Sequence, residues 1–168
     1  VLILALDPGY ANLGIAVVEL DEDNKGLNTI VKIHHSETIR VGCASRPLKF
    51  AEKLWHRLEG LGESFDFDAV AFETPTFIMR QIRTTALLWH TMGIVTSWAT
   101  HHGLPVRSQA PITLKRTACF LLQRKYDKGN LPDKKEVGHA LKELGVVSRS
   151  TDHENDAILA AFSCYGYK

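Results

Sequence analysis

The 168-residue sequence predicts an α/β domain built on a mixed five-stranded sheet. Three observations predict it. Short apolar runs (LILAL, LGIAVVEL, AVAFE) are of strand length and end in turn-forming or polar residues. Longer stretches place apolar residues at helical spacing. The order of the two kinds, β-β-β-α-β-α-β-α-α-α, begins with a meander and then alternates, which calls for both antiparallel and parallel pairing in one sheet.

Leu2 to Leu6 is apolar throughout and runs into Asp7-Pro8-Gly9, so it reads as a strand buried on both faces. Leu13 to Leu20 is the second strand. Asp21 to Asn28, acidic and holding Lys25-Gly26, reads as a hairpin loop. Thr29 to Arg40 alternates as a third strand with one wetter face. Phe50, Leu54, Leu58 and Leu61 recur at helical spacing, giving a helix over Pro47 to Glu63 with Pro47 in its first turn. Asp68 to Glu73 is a fourth strand, ended by Thr74-Pro75. Ile78 to His102 has no proline and reads as a long, mostly buried helix, with Trp89 and Trp98 in helix cores beside Trp55 of the first helix. Leu104 to Ser108 is the fifth strand. Helices follow at Ile112 to Leu122, Lys134 to Leu144 and Thr151 to about Tyr165. Arg124 to Asp133 is a polar linker.

At 168 residues with 45% hydrophobic content, the chain suits one domain, residues 1–168, with a real core. Charged residues make up 23%, which excludes a disordered or low-complexity class. No apolar run reaches the roughly 18 residues of a membrane span. Val1 to Leu6 lacks the basic flank of a secretory signal. Cys43, Cys119 and Cys164 are scattered and odd in number, which suits a reducing, intracellular compartment rather than a disulfide framework.

Net charge is +1, but unevenly spread. Residues 1–73 hold 7 Lys/Arg against 12 Asp/Glu, residues 74–150 hold 12 against 4, and residues 151–168 hold 1 against 3. A basic middle between acidic ends is what a polyanion-cutting site needs, with cations to grip phosphates and carboxylates to hold metal. Ordinary solvated helix faces give the same count.

The acids carry the chemistry. Asp7 ends one apolar strand and Glu73 ends another. A carboxylate there suits a site at the sheet edge; Asp-Pro-Gly is also good turn chemistry, and Glu73 also fits a solvated strand end. Adjacent strands lie about 5 Å apart, close enough for two carboxylates to share a cation. In Thr151-Asp152-His153-Glu154-Asn155-Asp156, Thr151 and Glu154 form a capping box. His153 and Asp156 share a helix face, and Asp152 nearly joins them. Helix-dipole preference alone explains Asp152. It does not explain Asp156, which lies past the first turn beside small apolar residues. Hard divalent cations prefer such oxygen donors, and two of them about 4 Å apart promote phosphodiester hydrolysis. His153 tolerates Mn²⁺ as a ligand, or orients or deprotonates the attacking water.

Beyond Glu73 lie Phe77, Arg80, Gln81 and Arg83, at the start of the long helix, where phosphate is favoured. Phe77 suits stacking on bases, or a core. Lys115, Arg116, Lys134 and Lys135 extend the basic group. The adjacent pairs His34-His35 and His101-His102 have no chelating spacing.

The segments LILALDPGYANLGIAVV, AVAFETP and DHENDAILAA, in this order and spacing, resemble the RuvC family of Holliday-junction resolvases, within the ribonuclease H-like nucleases. Softer similarity runs through FIMRQIRTTALLWHTMGIV, PITLKRTACF and DKKEVGHAL. The resemblance implies a ribonuclease H-like fold with helices on both sheet faces. It implies a homodimer that binds four-way DNA junctions and nicks two strands symmetrically, using two Mg²⁺ or Mn²⁺ ions per site. It matches Asp7, Glu73 and Asp156 to the family's acids. His153 stands where family members carry Asp or His, with Asp152 adjacent. Phe77 is similar to the junction-probing aromatic, and Lys115 and Lys134 to basic residues on the cleaved backbone. A junction-processing motor is a further implied partner. The acidic Asp21–Asn28 loop and the modest charge depart from bacterial members and suggest a phage or organellar version.

The expected function is therefore a metal-dependent endonuclease resolving four-way junctions, with Asp7, Glu73, His153, Asp156 and Lys134 at its centre. Alternatives are a nuclease for other branched DNA or RNA, and a non-cleaving junction-binding module. An actin-like ATP-binding protein also uses an Asp-x-Gly loop, but it needs a second similar domain.

Overall fold

The structure is a computed structural model describing all residues except 10, 23–27, 41–46, 76–81, 144–149 and 166–168, with side chains also left out at 22, 28–31 and 47. Its elements follow the expected order: β1 (Leu2–Pro8), β2 (Asn12–Glu22), β3 (Asn28–Arg40), α1 (Pro47–Ser64), β4 (Ala69–Glu73), α2 (Ile82–His101), β5 (Val106–Gln109), α3 (Pro111–Leu121), α4 (Lys134–Glu143) and α5 (Asp152–Tyr165). The sheet order is β3-β2-β1-β4-β5. The β1–β2–β3 meander is antiparallel, while β4 and β5 run parallel to β1 and to each other. The β5 strand runs two residues later than the sequence suggests at its start, and the expected first turn of α2 lies outside the described residues.

Period-two alternation divides the sheet between two cores. Leu4 and Leu6 of β1 and Leu13, Ile15 and Val17 of β2 pack with Leu54 and Leu58 of α1 and with Val95 and Trp98 of α2. Ile3, Ala5, Ala16 and Val18 face the other way, onto α3, α4 and α5. Helices therefore cover both faces, because both faces of β1 are apolar. Gly103, at φ 68°, closes α2 with a left-handed residue that a Cβ would disfavour. Pro111 opens α3, where its missing N–H is not needed.

Trp98 is buried as expected, at 1% exposure, and Trp55 packs at the edge of the core. Trp89 is not in a core; it is 49% exposed, and Ile82 on the same helix is 65% exposed. The reason is that α2 is apolar around much of its circumference, more than one sheet face can cover. Cys119 and Cys164 are buried free thiols. Among the described residues no helix is long and apolar enough to cross a membrane.

Candidate active site

One row of the sheet builds the centre. Asp7 of β1 pairs with Gly14 of β2, and Gly14 with Thr38 of β3. Cross-strand partners point to the same face, here the α5 face. On the other side, β1 and β4 stay in parallel register through Leu6 and Phe72, so Glu73 follows beside Asp7. The preceding row of that face is Ala71, Ala5, Ala16 and Ser36. Alanines there let α5, with its own Ala157, Ala160 and Ala161, lie close to the sheet. Gly14 lets its first turn lie closer still. A Cβ on Gly14 would fall 2.0 Å from the His153 carbonyl oxygen.

That approach delivers His153 to Asp7, with Nδ1 2.8 Å from the carboxylate Oδ2. Asn12 Nδ2 lies 3.5 Å from the other ring nitrogen, Nε2. The tautomer that satisfies both contacts carries its proton on Nδ1 and accepts at Nε2. Asp156, one turn further on, accepts a hydrogen bond of 3.0 Å from Lys134 Nζ. Lys134 is in reach because α4 begins there. Asp133 and Glu136 form a reciprocal capping box, Glu136 N–H to Asp133 Oδ1 at 2.8 Å and Asp133 N–H to Glu136 Oε2 at 2.9 Å.

The electrostatics are those of crowded carboxylates. Burial first, then the charges of Asp7 and Asp156, push the Glu73 carboxyl up to about 7, with Lys134 and Lys115 opposing. Burial also raises Asp7; the His153 hydrogen bond pulls it down, and Asp156 pushes it up again. Lys134 is raised: burial lowers it, but its hydrogen bond to Asp156 and the charges of Asp156, Asp152 and Asp7 outweigh that. Several acids thus share one close ammonium.

A cleft of about 210 Å³ opens on this group, lined by Glu73, Lys115, Lys134, Asp152, Asn155 and Asp156 with an apolar floor. A second cleft of about 400 Å³ lies between α4 and the start of α5. Lys134, Asp152 and Asn155 border both, and Lys135, His139 and Lys142 line the second. Among the described residues no three acidic, His or Cys side chains form a ready-made metal chelate. The expected ligands are gathered but turned to other partners, Asp7 to His153 and Asp156 to Lys134. The donor set still suits a hard divalent cation: carboxylate oxygens and one imidazole, with four carboxylates, Asp7, Glu73, Asp152 and Asp156, against Lys134 and Lys115 among the described residues.

Sequence reading left Asp152 and His153 open. His153 meets Asp7, whereas Asp152 is exposed at the ridge between the clefts. Lys115 lines the first cleft and Lys135 the second. Arg116 lines neither cleft; its guanidinium lies over the Tyr126 ring, 5.2 Å from the centroid. Arg83 is exposed in the first turn of α2. Phe77, Arg80 and Gln81 lie outside the described residues. Sequence reading missed Asn12, Ser36, Thr38 and Asn155. For Ser36 and Thr38 a signal existed: two hydroxyls at period two in β3.

No family model matches the chain. Among curated proteins, the crossover junction endodeoxyribonuclease RuvC of Xanthomonas euvesicatoria is 28% identical over 116 residues, 67% of this chain and 62% of that protein. RuvC of Xanthomonas oryzae matches at the same identity and extent. The match thus spans less than two thirds of the relatives' length. Among solved structures, Thermus thermophilus RuvC in complex with Holliday junction substrate superposes with a TM-score of 0.73 at 21% identity, over 97% of this chain and 92% of that one. In sequence over part of its length, and in fold, this chain is similar to RuvC. The yeast mitochondrial Holliday junction resolvase Ydc2 shares the fold at a TM-score of 0.58 and 13% identity, over 98% of this chain and 76% of that one. The fowlpox virus resolvase does so at 0.52 and 14%, over 95% of each. The sheet, with its helices on both faces, is accordingly the ribonuclease H-like fold that the RuvC resemblance implied.

Proposed function

We propose that the chain is a metal-dependent DNA endonuclease that resolves four-way junctions by paired nicks. The observation that carries this is the row Glu73–Asp7–Gly14, capped by His153 and Asp156 from α5, in a chain whose sequence and fold are RuvC-like. The reaction forms a bond from water oxygen to phosphorus and breaks the bond from phosphorus to the leaving 3′-oxygen. Asp7, Glu73 and Asp156, with His153 or Asp152, would hold Mg²⁺ or Mn²⁺, two ions at full occupancy. Divalent charge there would offset the charge that develops on the phosphate.

The chain's own groups do the rest. Asp7 fixes the His153 ring, leaving Nε2 as the nitrogen that would ligate the metal or take the proton of the attacking water. Lys134 and Lys115 bring positive charge to the cleft beside Glu73. The scissile phosphate sits in that cleft, and the strand continues over the Lys134 ridge into the second one, past Lys135, His139 and Lys142. Phe77, Arg80, Gln81, Arg83 and Arg116 add contacts to the junction DNA. Ile82 and Trp89, exposed apolar side chains seven residues apart on α2, favour a homodimer that sets two such sites against one junction.

The test is cleavage of a labelled four-way junction beside a linear duplex, in Mg²⁺ and in Mn²⁺, by wild type and Asp156→Asn. Paired nicks on the junction, lost in the variant while binding persists, are expected. Tight binding without cleavage by either protein would turn the assignment to a binding module. Equal cutting of both substrates would remove junction selectivity.

A further inference from the structure

Glu154 lies between His153 and Asp156 in sequence, yet it faces away from the cleft and is only 8% exposed. A capping box accounts for its contact with Thr151, whose hydroxyl is 3.1 Å from Glu154 Oε1 and accepts from the Glu154 N–H at 3.2 Å. It does not account for what else the carboxylate meets. Thr38 of β3 donates to Oε1 at 3.0 Å, and Ser36 of β3 donates to Oε2 at 2.8 Å. Thr38 Oγ1 is also 2.6 Å from Thr151 Oγ1. Both oxygens of one carboxylate are thus tied to alternate residues of a single strand.

The sheet register shows what this does. Thr38 occupies the same row as Gly14 and Asp7, and Ser36 the row behind it. The first turn of α5 therefore rests on three points of one row. His153 is held by Asp7, the His153 backbone lies over Gly14, and Glu154 is held by Thr38. Successive helix residues are about 100° apart around the axis, so fixing Glu154 on the β3 side fixes where His153 and Asp156 point. A helix N-terminus otherwise frays.

We infer that Glu154, Ser36 and Thr38 are positioning residues, a clamp from β3 that sets the rotation of α5 and so presents His153 to Asp7 and Asp156 to the cleft. The inference rests on the endonuclease reading for its effect on cleavage, but its effect on His153 is independent of it. The clamp works through hydrogen-bond acceptance and not through charge. Gln at 154 keeps an acceptor for Thr38 and Thr151, and its amide can donate to the Ser36 hydroxyl.

The experiment compares wild type, Glu154→Gln, Glu154→Ala, the double variant Ser36→Ala with Thr38→Val, and Lys32→Ala as an exposed β3 control. The first readout is the His153 ring signal by NMR in metal-free protein. The second is the single-turnover rate on saturating four-way junction across a Mn²⁺ titration, with junction affinity and melting temperature measured alongside. Expected is a displaced His153 signal in Glu154→Ala and in the double variant. Their apparent Mn²⁺ affinity or rate should fall about 10- to 100-fold, as for other residues that orient metal-site side chains, with junction affinity held within about twofold. Glu154→Gln should stay within about threefold of wild type, and Lys32→Ala should match it. A double variant that melts lower yet keeps the wild-type His153 signal and Mn²⁺ dependence would reduce the network to a stabilising cap and overturn the inference. Equal losses in Glu154→Gln and Glu154→Ala with an unmoved His153 signal would also overturn it, in favour of a charge effect. Should Glu154→Ala fail to fold, the double variant decides. Failure of wild type to cut the junction would sink the endonuclease reading, leaving the His153 signal to judge the clamp.

Discussion

Replacing Gly14 with alanine should damage this protein more than any other single methyl group added to the sheet. The backbone of Gly14 needs no left-handed conformation, so the cost is one of space alone. The new Cβ would lie 2.0 Å from the His153 carbonyl oxygen, 2.4 Å from its carbonyl carbon and 3.0 Å from its Cβ. The obstructing atoms are backbone and cannot rotate aside. Bringing the first distance to the 3.0 Å that real contacts respect requires β2 and α5 to part by about 1 Å. The His153–Asp7 hydrogen bond, 2.8 Å at rest, then stretches past hydrogen-bonding range. Overpacking of a tight core costs about 1–3 kcal/mol, and a backbone clash belongs at the upper end. For a chain of this size, about 3 kcal/mol lowers the melting temperature by roughly 6–12 °C. The assay is thermal unfolding followed by circular dichroism, with the His153 NMR signal alongside. Gly60→Ala is the control, since nothing lies within 4 Å of a Cβ there and α1 should gain from alanine. A Gly14→Ala protein melting within about 2 °C of wild type, with an unmoved His153 signal, would refute the reasoning.

Three further predictions follow from the same geometry. Glu73, held near 7 when folded and near 4.5 when unfolded, binds more proton in the folded state between those values, so metal-free stability should fall as pH rises through that window; melts in chelator at pH 5 and pH 8 check this, and Glu73→Gln should flatten the difference. Lys134→Gln leaves Asp156 without its ammonium and the cleft with less positive charge; single-turnover cleavage should drop about 10²- to 10³-fold while junction affinity changes little. Lys142→Gln should weaken junction binding and reduce its salt dependence by about one counterion, with the cleavage rate at saturation unchanged; an unaltered salt slope would take the second cleft out of the strand's path.

Much of this architecture was legible in the sequence because it depends on local patterns. The apolar period of LILAL and LGIAVVEL, the turn at Pro8-Gly9 and the capping box that opens α5 act within a few residues of themselves. Strand ends carrying acids, Asp7 and Glu73, and a helix start carrying His153 and Asp156, could be named for the same reason. Sequence by itself also determined that α2 is apolar, but not which side of it stays uncovered; Trp89 looked like a core residue and is not one. Tertiary structure alone decided which groups meet. Strand pairing put Asp7 and Gly14 in one row with Thr38, which lies 24 residues beyond Gly14 in the chain. The Gly14 gap then let α5 descend far enough for His153 to reach Asp7 and for Glu154 to reach Ser36 and Thr38. No local propensity encodes those contacts. They arise because a sheet sets side chains side by side at fixed spacing, and a helix laid across it can meet several strands at once.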